Sequence, residues 1–403
     1  MSDTLDLLMF AALVVAILSG FPVAFSIAGV AVLFAYLGWA LGAMDISLLG
    51  AFGQRVFGLI SNQVLIAIPL FVLMGALLEK SRIAEELLDT MGRAFGQLRG
   101  GLGISVVLVG ALLAASTGIV GATVVAMGMI ALPTMLRSGY DPRVASGIVC
   151  TAGTLGQIIP PSTLLIILAD VMSNAYQQAQ YEQGKFAVEA LSVGQFFAAA
   201  LVPGLVLVSL YLIYVLARGV LPPDDMPPAP ADLPRPSRPE VLGAIVPPVL
   251  LIFAVLGSIL GGLATPTEAA AVGAVGALLL AGARRGRHRG VIAVAAAALI
   301  VLAIAAGLFP VRLQRGDLGT GAYLAGGLYI VLTLVGVTGI LAALNNLLRD
   351  RVVHGAVAST MTMTAMIFAT ILAAGMFSLV FIGLGGEDRS ALCPRILPGG
   401  APG

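Results

Sequence analysis

Two neighbouring stretches decide the fold of this chain: GALLAASTGIVGATVVAMGMIALPTML at residues 110–136 and ASGIVCTAGTLGQIIPPSTLLIILAD at residues 145–170. Both are apolar enough to lie in a membrane, yet small and helix-breaking residues interrupt each of them. An unpaired backbone amide is costly in hydrocarbon, so non-helical backbone at membrane depth must be buried in protein or line a cavity. We therefore predict a re-entrant helical hairpin in the first stretch and a broken helix facing it in the second.

Small and hydroxyl-bearing residues gather at these two interruptions. The candidate hairpin-tip and substrate residues are Ser116, Thr117, Gly118, Gly121, Thr123 and Thr154. Carbonyl and hydroxyl oxygens freed at a helix break suit a small hard cation such as sodium. Close packing between helices is the alternative explanation for small residues in membrane segments. Close packing does not readily explain why a Ser-Thr-Gly cluster should lie opposite a Pro-Pro pair. A binding site is therefore the favoured interpretation.

Composition places the whole chain in a lipid bilayer. Hydrophobic residues make up 59% of it and charged residues 10%, whereas about 25% charge is usual for a soluble domain. The expected fold class is therefore an all-α polytopic membrane protein. A net charge of +1 argues against a nucleic-acid-binding protein, and two His and two Cys offer little for a metal cluster. We expect no enzyme, because no catalytic Ser/His, Cys/His or paired-acid group falls at membrane depth.

Apolar runs and the breaks between them predict two membrane halves joined by a linker. A break at Gly20-Phe21-Pro22 is expected to divide the first apolar run into two short antiparallel helices, because proline sets the first turn of a new helix. A polar loop is expected at residues 173–190, before the last helix of the first half. The predicted segments are a first half at 1–220 with the hairpin at about 101–137 and the broken helix at about 145–172, a Pro-rich extended linker at 221–240, a partial second half at 241–384 with extra helices at about 291–344, and an atypical tail at 385–403.

Residues 83–98 have the pattern of an amphipathic helix. Ile83, Leu87, Met91 and Phe95 recur every fourth residue, with acidic residues and an arginine between them. Such a helix lies along a membrane surface, and an ordinary connecting helix between two spans is the equally weighted alternative.

Two motifs of the second half concern helix ends. The sequence TPTE at residues 265–268 predicts a helix start, with Thr265 as the N-cap and Glu268 closing a capping box. An acidic residue inside a membrane also invites a role in proton or cation coupling, which is the less favoured interpretation of Glu268. The basic cluster at residues 284–289 predicts a cytoplasmic loop by the positive-inside rule.

Several runs, in the same order along the chain, resemble the large membrane subunit of tripartite ATP-independent periplasmic (TRAP) transporters, the DctM type. They are GFPVAF at 20–25, IPLFVLMGALLEKSRIAEELLD at 68–89, GATVVAMGMIALPTML at 121–136, AGTLGQIIPPS at 152–162 and ATPTEAAAV at 264–272. The resemblance implies a multi-pass protein of the bacterial inner membrane, an elevator-type transporter built from inverted repeats with a re-entrant hairpin in each. It further implies import of an organic acid, a carboxylate, driven by a sodium gradient. The implied partners are a periplasmic substrate-binding protein and a small four-helix membrane subunit, with sodium as the coupling ion and no other cofactor.

The resemblance also implies a first sodium site between the hairpin tip and the broken helix. Carried over by matching the two motifs, its ligands are Thr117, Ile119, Gly156, Ile159 and Pro161, several of them through backbone carbonyls.

The second half departs from the family pattern. A second hairpin and further helices are expected after the span that begins near Thr360, but residues 385–403 lose the hydrophobic pattern. The second repeat is then incomplete, and the tail looks like a frameshift or a truncation. The alternative to a sodium-coupled permease subunit is therefore a transport-inactive truncated fragment or a membrane scaffold.

Overall fold

The computed structural model of the 403-residue chain describes residues 4–117, 120–185, 187–221, 225–228, 236–309 and 320–386, apart from the side chains of 114–117, 122 and 320–322. All regular elements in this part of the chain are helical. The α-helices are α1 Leu5–Leu18, α2 Val23–Ala40, α3 Ala51–Ser61, α4 Ala67–Lys80, α5 Ile83–Phe95, α6 Gly101–Thr117, α7 Val120–Arg137, α8 Pro142–Thr154, α9 Thr163–Glu182, α10 Val193–Val220, α11 Arg238–Leu260, α12 Pro266–Arg284, α13 Arg289–Leu308, α14 Thr320–Arg349 and α15 Val352–Gly383.

Seven of the described helices are long and apolar enough to cross a membrane, and they are α2 and α10 to α15. About 20 apolar residues span the hydrocarbon core, and these helices reach or approach that length. The expected all-α polytopic fold is therefore confirmed.

The chain forms two compact units, one of Met1–Gln63 with Met361–Gly403 and the other of Val64–Thr360. In the first unit, α1 and α2 pack together across the predicted break at residues 20–22, where Gly20 takes a left-handed φ of 84°. Phe10 meets the rings of Phe377 and Phe381 edge-on, with centroids 5.4 and 5.2 Å apart. The predicted division into halves 1–220 and 241–384 follows the sequence repeat rather than these units, and it stays a prediction.

In the second unit, the amphipathic helix α5 uses its apolar stripe inside the protein. Ile83, Leu87 and Met91 are buried, and the helix packs on α6 and α11. Arg93 donates to Asp89 at 3.0 Å and to Glu240 of α11 at 2.6 Å, and the Glu240 hydrogen bond is the main cause that raises the pKa of Arg93. The stripe therefore serves as the packing face of a connecting helix.

Helix α12 begins as the TPTE motif predicts. The Glu268 N–H donates to Thr265 Oγ1 at 3.3 Å, and the Thr265 N–H donates to Glu268 Oε2 at 2.8 Å. The capping box is thus confirmed, and it accounts for the glutamate by itself.

The polar loop expected at 173–190 is wrong over its first part, because α9 continues to Glu182. The polar side chains lie on this helix and bind the segment that returns along it. Gln180 donates to the Glu189 carbonyl at 3.0 Å and accepts from the Glu189 N–H at 3.2 Å. Ser173 Oγ accepts from the Leu191 N–H at 3.2 Å.

The Pro-rich linker contributes a docked segment at residues 225–228. Met226 is fully buried, and its carbonyl accepts from the Gly100 N–H at 3.2 Å. The Asp225 carbonyl accepts from the Asp141 N–H at 2.9 Å, and its carboxylate pairs with Arg218 at 2.6 Å. These contacts fix the linker to the base of the α6–α7 pair. Residues 222–224 and 229–235 of the linker, and 387–403 of the predicted tail, lie outside the described residues.

Candidate functional site

The predicted hairpin is a pair of helices, α6 and α7, that pack against each other and on α8. Residues 118–119 between them lie outside the described part of the chain. Two glycines permit the close approach to α8. A Cβ on Gly110 would lie 2.9 Å from Ala152 Cβ, and one on Gly153 would lie 3.0 Å from the Cα of Val124. Both arms of the hairpin are therefore in van der Waals contact with the end of α8.

The predicted break in the facing helix is present. Helix α8 ends at Thr154, a 3₁₀ turn covers Leu155–Gln157, and α9 starts at Thr163. The Leu155 carbonyl accepts from the N–H groups of Ile158 and Ile159, each at 3.0 Å. The regular i to i+4 pattern cannot continue, because proline has no N–H to donate.

The two prolines change the partners of two particular carbonyls. Pro160 and Pro161 stand four residues after Gly156 and Gln157, so neither carbonyl has a helical amide to accept from. Ser162, which is fully buried, replaces one of them by donating its hydroxyl to the Gln157 carbonyl at 2.8 Å. The Gly156 carbonyl loses its helical donor in the same way, because residue 160 is a proline. Gly156 is buried.

Helix α10 closes the back of the break. A Cβ on Gly204 would lie 3.4 Å from Ile159 Cγ1 and 3.7 Å from the Ile158 carbonyl oxygen. Helix α10 therefore covers one side of the irregular backbone, while Ile158 within the break stays 37% exposed.

For six of the predicted site residues the structure describes the side chain as well as the backbone. Gly156 and Pro161 are buried and Ile159 is half-buried. Thr123 near the start of α7 is 3% exposed, and Gly121 is exposed. The Thr154 hydroxyl donates to the Thr151 carbonyl of its own helix at 2.7 Å.

The remaining predictions fall elsewhere: Gly118, Ile119 and the side chains of Ser116 and Thr117 lie outside the described residues. What the structure brings together is the start of α7 and the end of α8, through Val124 and Gly153. Gly110, Gly153 and Ser162 were not predicted as site residues. A glycine directly before Thr154 and a serine directly after a Pro-Pro pair were the available signals.

The surroundings of the break are electrically neutral. Residues 100–136 and 144–169 contain no charged side chain, and the described part of the molecule has no group of three or more His, Cys, Asp or Glu placed to hold a metal ion. The oxygens at the break belong to backbone carbonyls, to hydroxyls and to the side-chain amide of Gln157. Such neutral donors suit a monovalent hard cation better than a transition metal, which prefers nitrogen, sulfur or carboxylate ligands.

Comparison with known proteins decides the family. The model of the family described as "Tripartite ATP-independent periplasmic transporter, DctM component" matches residues 10–389. The chain belongs to this family. The resemblance identified from the sequence is thus confirmed, and so is the expectation that the protein is not an enzyme, since the relatives of this DctM-family chain are transporter permease subunits. Together with its apolar helices, the family makes it a multi-pass protein of the bacterial inner membrane.

Individual relatives of the DctM-family chain carry different substrate names. A C4-dicarboxylate TRAP transporter large permease protein of Pseudomonas aeruginosa is 39% identical over 226 residues, which are 55% of this chain and 47% of the relative. The Vibrio cholerae protein of the same description is 32% identical over 280 residues, 68% of this chain and 55% of the relative. A sialic acid TRAP transporter large permease of Vibrio cholerae is 29% identical over 266 residues, 65% of this chain and 55% of the relative. The chain spans about half the length of these curated relatives.

Proposed function

We propose that this protein is the large permease subunit of a sodium-coupled secondary transporter that imports an organic carboxylate. The observation that carries the proposal is the helix break at 155–162, where Pro160 withholds the helical amide from the buried Gly156 carbonyl. A buried carbonyl that loses its helical donor needs another polar partner, and a bound cation would be such a partner.

The proposed sodium ligands are the carbonyls of Gly156, Ile159 and Pro161, together with Thr117 and Ile119 of the hairpin tip. Contact between Val124 and Gly153 supports this choice, because it holds the α7 arm against the end of α8. The neutral composition of both stretches supports a monovalent ion, since no carboxylate is available there to balance a divalent one.

The proposed ion couples to movement through the hairpin. An ion shared between the tip and the break binds only when the two are packed together, so it shifts the population toward that packed state. A substrate that uses the same state then binds more tightly when sodium is present, and sodium binds more tightly when the substrate is present. We infer an elevator-type inverted-repeat architecture with a re-entrant α6–α7 hairpin, in which this packed unit carries the substrate across.

The substrate class and the partners are part of the proposal. Relatives are named for C4-dicarboxylates and for sialic acid, and both kinds of compound carry a carboxylate. We propose that a periplasmic substrate-binding protein delivers such a compound and that a small four-helix membrane subunit completes the permease.

Reconstituted transport tests the proposal. The chain is placed in liposomes with its small membrane subunit, and its substrate-binding protein is added outside with radiolabelled succinate. Uptake is expected to require an inward sodium gradient and the binding protein, and to stop when potassium replaces sodium. Uptake that is indifferent to this replacement, or no uptake of succinate, sialic acid or other carboxylates with both partners present, contradicts the proposal.

A further inference from the structure

A second candidate site lies far along the chain from the helix break, in a cavity of about 1060 Å³. It is formed by the α4–α5 elbow and by the turns that join α12 to α13 and α14 to α15, all within the Val64–Thr360 unit. We call it the charged cleft. Its basic lining residues are Lys80, Arg82, Arg284, Arg285, Arg289 and Arg351.

The acidic residues of the charged cleft are all paired. Glu86 forms an ion pair with Arg284, Asp350 pairs with Arg285 at 3.3 Å, and Glu85 pairs with Arg82 at 3.8 Å. Asp89 pairs with Arg93 at 3.0 Å, outside the cleft. The lining acids are therefore already neutralised by arginines.

Two lining arginines are left over. Arg289 and Arg351 form no ion pair within the described residues, and both are exposed. Lys80 pairs with Glu79 at 3.2 Å. The cleft thus presents two uncompensated guanidinium groups, which cannot lose their charge at physiological pH.

Backbone strain is concentrated at the same place. In the described part of the chain the non-glycine residues with positive φ are Arg82 at 63°, His288 at 55° and Arg351 at 56°. Arg82 and Arg351 line the cleft, and His288 directly precedes Arg289. A side chain disfavours this conformation, and such strain clusters at ligand sites more often than elsewhere.

The position of the cleft restricts what it can meet. It lies where the apolar helices α12 and α14 end and where α13 and α15 begin, at the edge of the membrane. The excess of arginine at these ends indicates the cytoplasmic side. Anionic phospholipids are present in that leaflet, and basic pockets between membrane helices bind their head groups.

We propose that the charged cleft binds a phosphate-bearing anion through Arg289 and Arg351, either the head group of an anionic phospholipid or free phosphate. Arginine suits this role because its planar guanidinium donates two parallel hydrogen bonds to phosphate oxygens. The site is separate from the helix break and does not depend on sodium coupling.

Native mass spectrometry of the purified full chain in detergent tests the proposal. The probes are phosphatidylglycerol, phosphatidylcholine with the same acyl chains, and inorganic phosphate. Phosphatidylglycerol is expected to bind more tightly than phosphatidylcholine. Each arginine near an anionic lipid contributes about fivefold in affinity, so the double variant Arg289→Gln/Arg351→Asn should lose roughly 25-fold. Asparagine is used at residue 351 because it tolerates a positive φ better than most residues.

The matched control is Arg287→Gln. Arg287 is an exposed arginine of the same turn that does not line the cleft. Its carbonyl accepts from Asn346 Nδ2 at 2.6 Å, and the substitution leaves that carbonyl in place. This variant is expected to bind phosphatidylglycerol as the natural chain does. The single variants Arg289→Gln and Arg351→Asn, each expected to lose about fivefold, replace the double variant if it does not fold.

The outcomes separate the two sources of the anion. Preference for phosphatidylglycerol that the cleft variants lose and Arg287→Gln keeps assigns the site to lipid. Binding of inorganic phosphate with the same dependence on Arg289 and Arg351, without preference between the two lipids, assigns it to the free anion. Equal lipid binding without such phosphate binding, or equal losses in all variants including Arg287→Gln, overturns the proposal.

Discussion

The helix break and the charged cleft differ in both burial and charge. At the break, residues without charge hold polar backbone atoms in a buried place, and Ser162 satisfies the Gln157 carbonyl that Pro161 leaves without a donor. At the cleft, side chains with full charges meet near solvent, and Arg284 binds both Glu86 and the Gly243 carbonyl. The two regions should therefore contribute differently to the free energy of unfolding. Packing and buried hydrogen bonds at the break should contribute most, whereas exposed ion pairs at the cleft should contribute little.

Gly153→Ala should have the largest effect on stability. Its Cβ would lie 3.0 Å from Val124 Cα and 3.1 Å from Val124 N, and backbone atoms cannot move aside as a flexible side chain does. Overpacking of this kind costs about 3 kcal/mol at its upper end. Thermal unfolding in detergent measures the loss.

The control for this variant is Gly147→Ala on the same helix. A Cβ at Gly147 meets nothing within 4 Å, so the gain in helix propensity should stabilise the protein by about 0.5–1 kcal/mol. Equal effects of the two substitutions would show that α7 does not press on α8 at Gly153.

Ser162→Ala should have an intermediate effect. The substitution leaves the Gln157 carbonyl without its 2.8 Å partner in a place where water cannot easily replace it, at a cost of about 1–2 kcal/mol. Ser146→Ala is the matched change at an exposed serine whose hydroxyl donates to Pro142 of its own helix at 2.7 Å, and it should be nearly neutral. If both serines prove neutral in thermal unfolding, the hydroxyl does not support the break.

Arg284→Gln should have the smallest effect, and it should depend on salt. Its ion pair with Glu86 is partly exposed, with 51% of the glutamate side chain accessible, so its contribution should be below about 1 kcal/mol. Because salt screens exposed charges, the difference from the natural chain should shrink between low and high ionic strength. The effect of Gly153→Ala on stability should not change with salt. If both substitutions depend on salt to the same extent, the two regions are not stabilised by different interactions.

Local signals allowed much of the fold to be predicted from the sequence. Three features depend on only a few adjacent residues, and each occurs where predicted. They are the break at Gly20 to Pro22, the Thr265 capping box and the Pro160–Pro161 interruption. Proline and glycine act on the backbone directly, so their effect survives in any tertiary context.

Other features depended on contacts that local patterns do not contain. The polar run after residue 172 looked like a loop, yet α9 continues through it because Ser173 and Gln180 find partners in the returning segment. Likewise α15 begins at Val352, eight residues before the expected start near Thr360.

The charged cleft is the clearest case of this limit. The basic cluster at 284–289 was predicted to be a loop, and α12 does end and α13 begin there, but its partners Glu86 and Asp350 are distant in sequence. Only the packing of α4, α12 and α14 brings them together. A local pattern that predicts topology therefore contained no information about a binding cleft.

The most direct test of the account is the thermal shift that sodium produces in Pro160→Ala. Alanine at residue 160 restores an amide four residues after Gly156, so the carbonyl proposed to bind sodium gains a competing hydrogen bond. A site filled at 100 times its dissociation constant stabilises a protein by about 2.7 kcal/mol, and the natural chain should show such a rise in Tm in sodium chloride but not in potassium chloride.

The control for this test is Pro133→Ala, at an exposed proline inside α7. The account predicts that Pro133→Ala keeps the sodium-dependent rise in Tm and that Pro160→Ala loses most of it. A full sodium shift in Pro160→Ala, or no shift in the natural chain, would contradict the proposal that the broken helix binds the coupling ion.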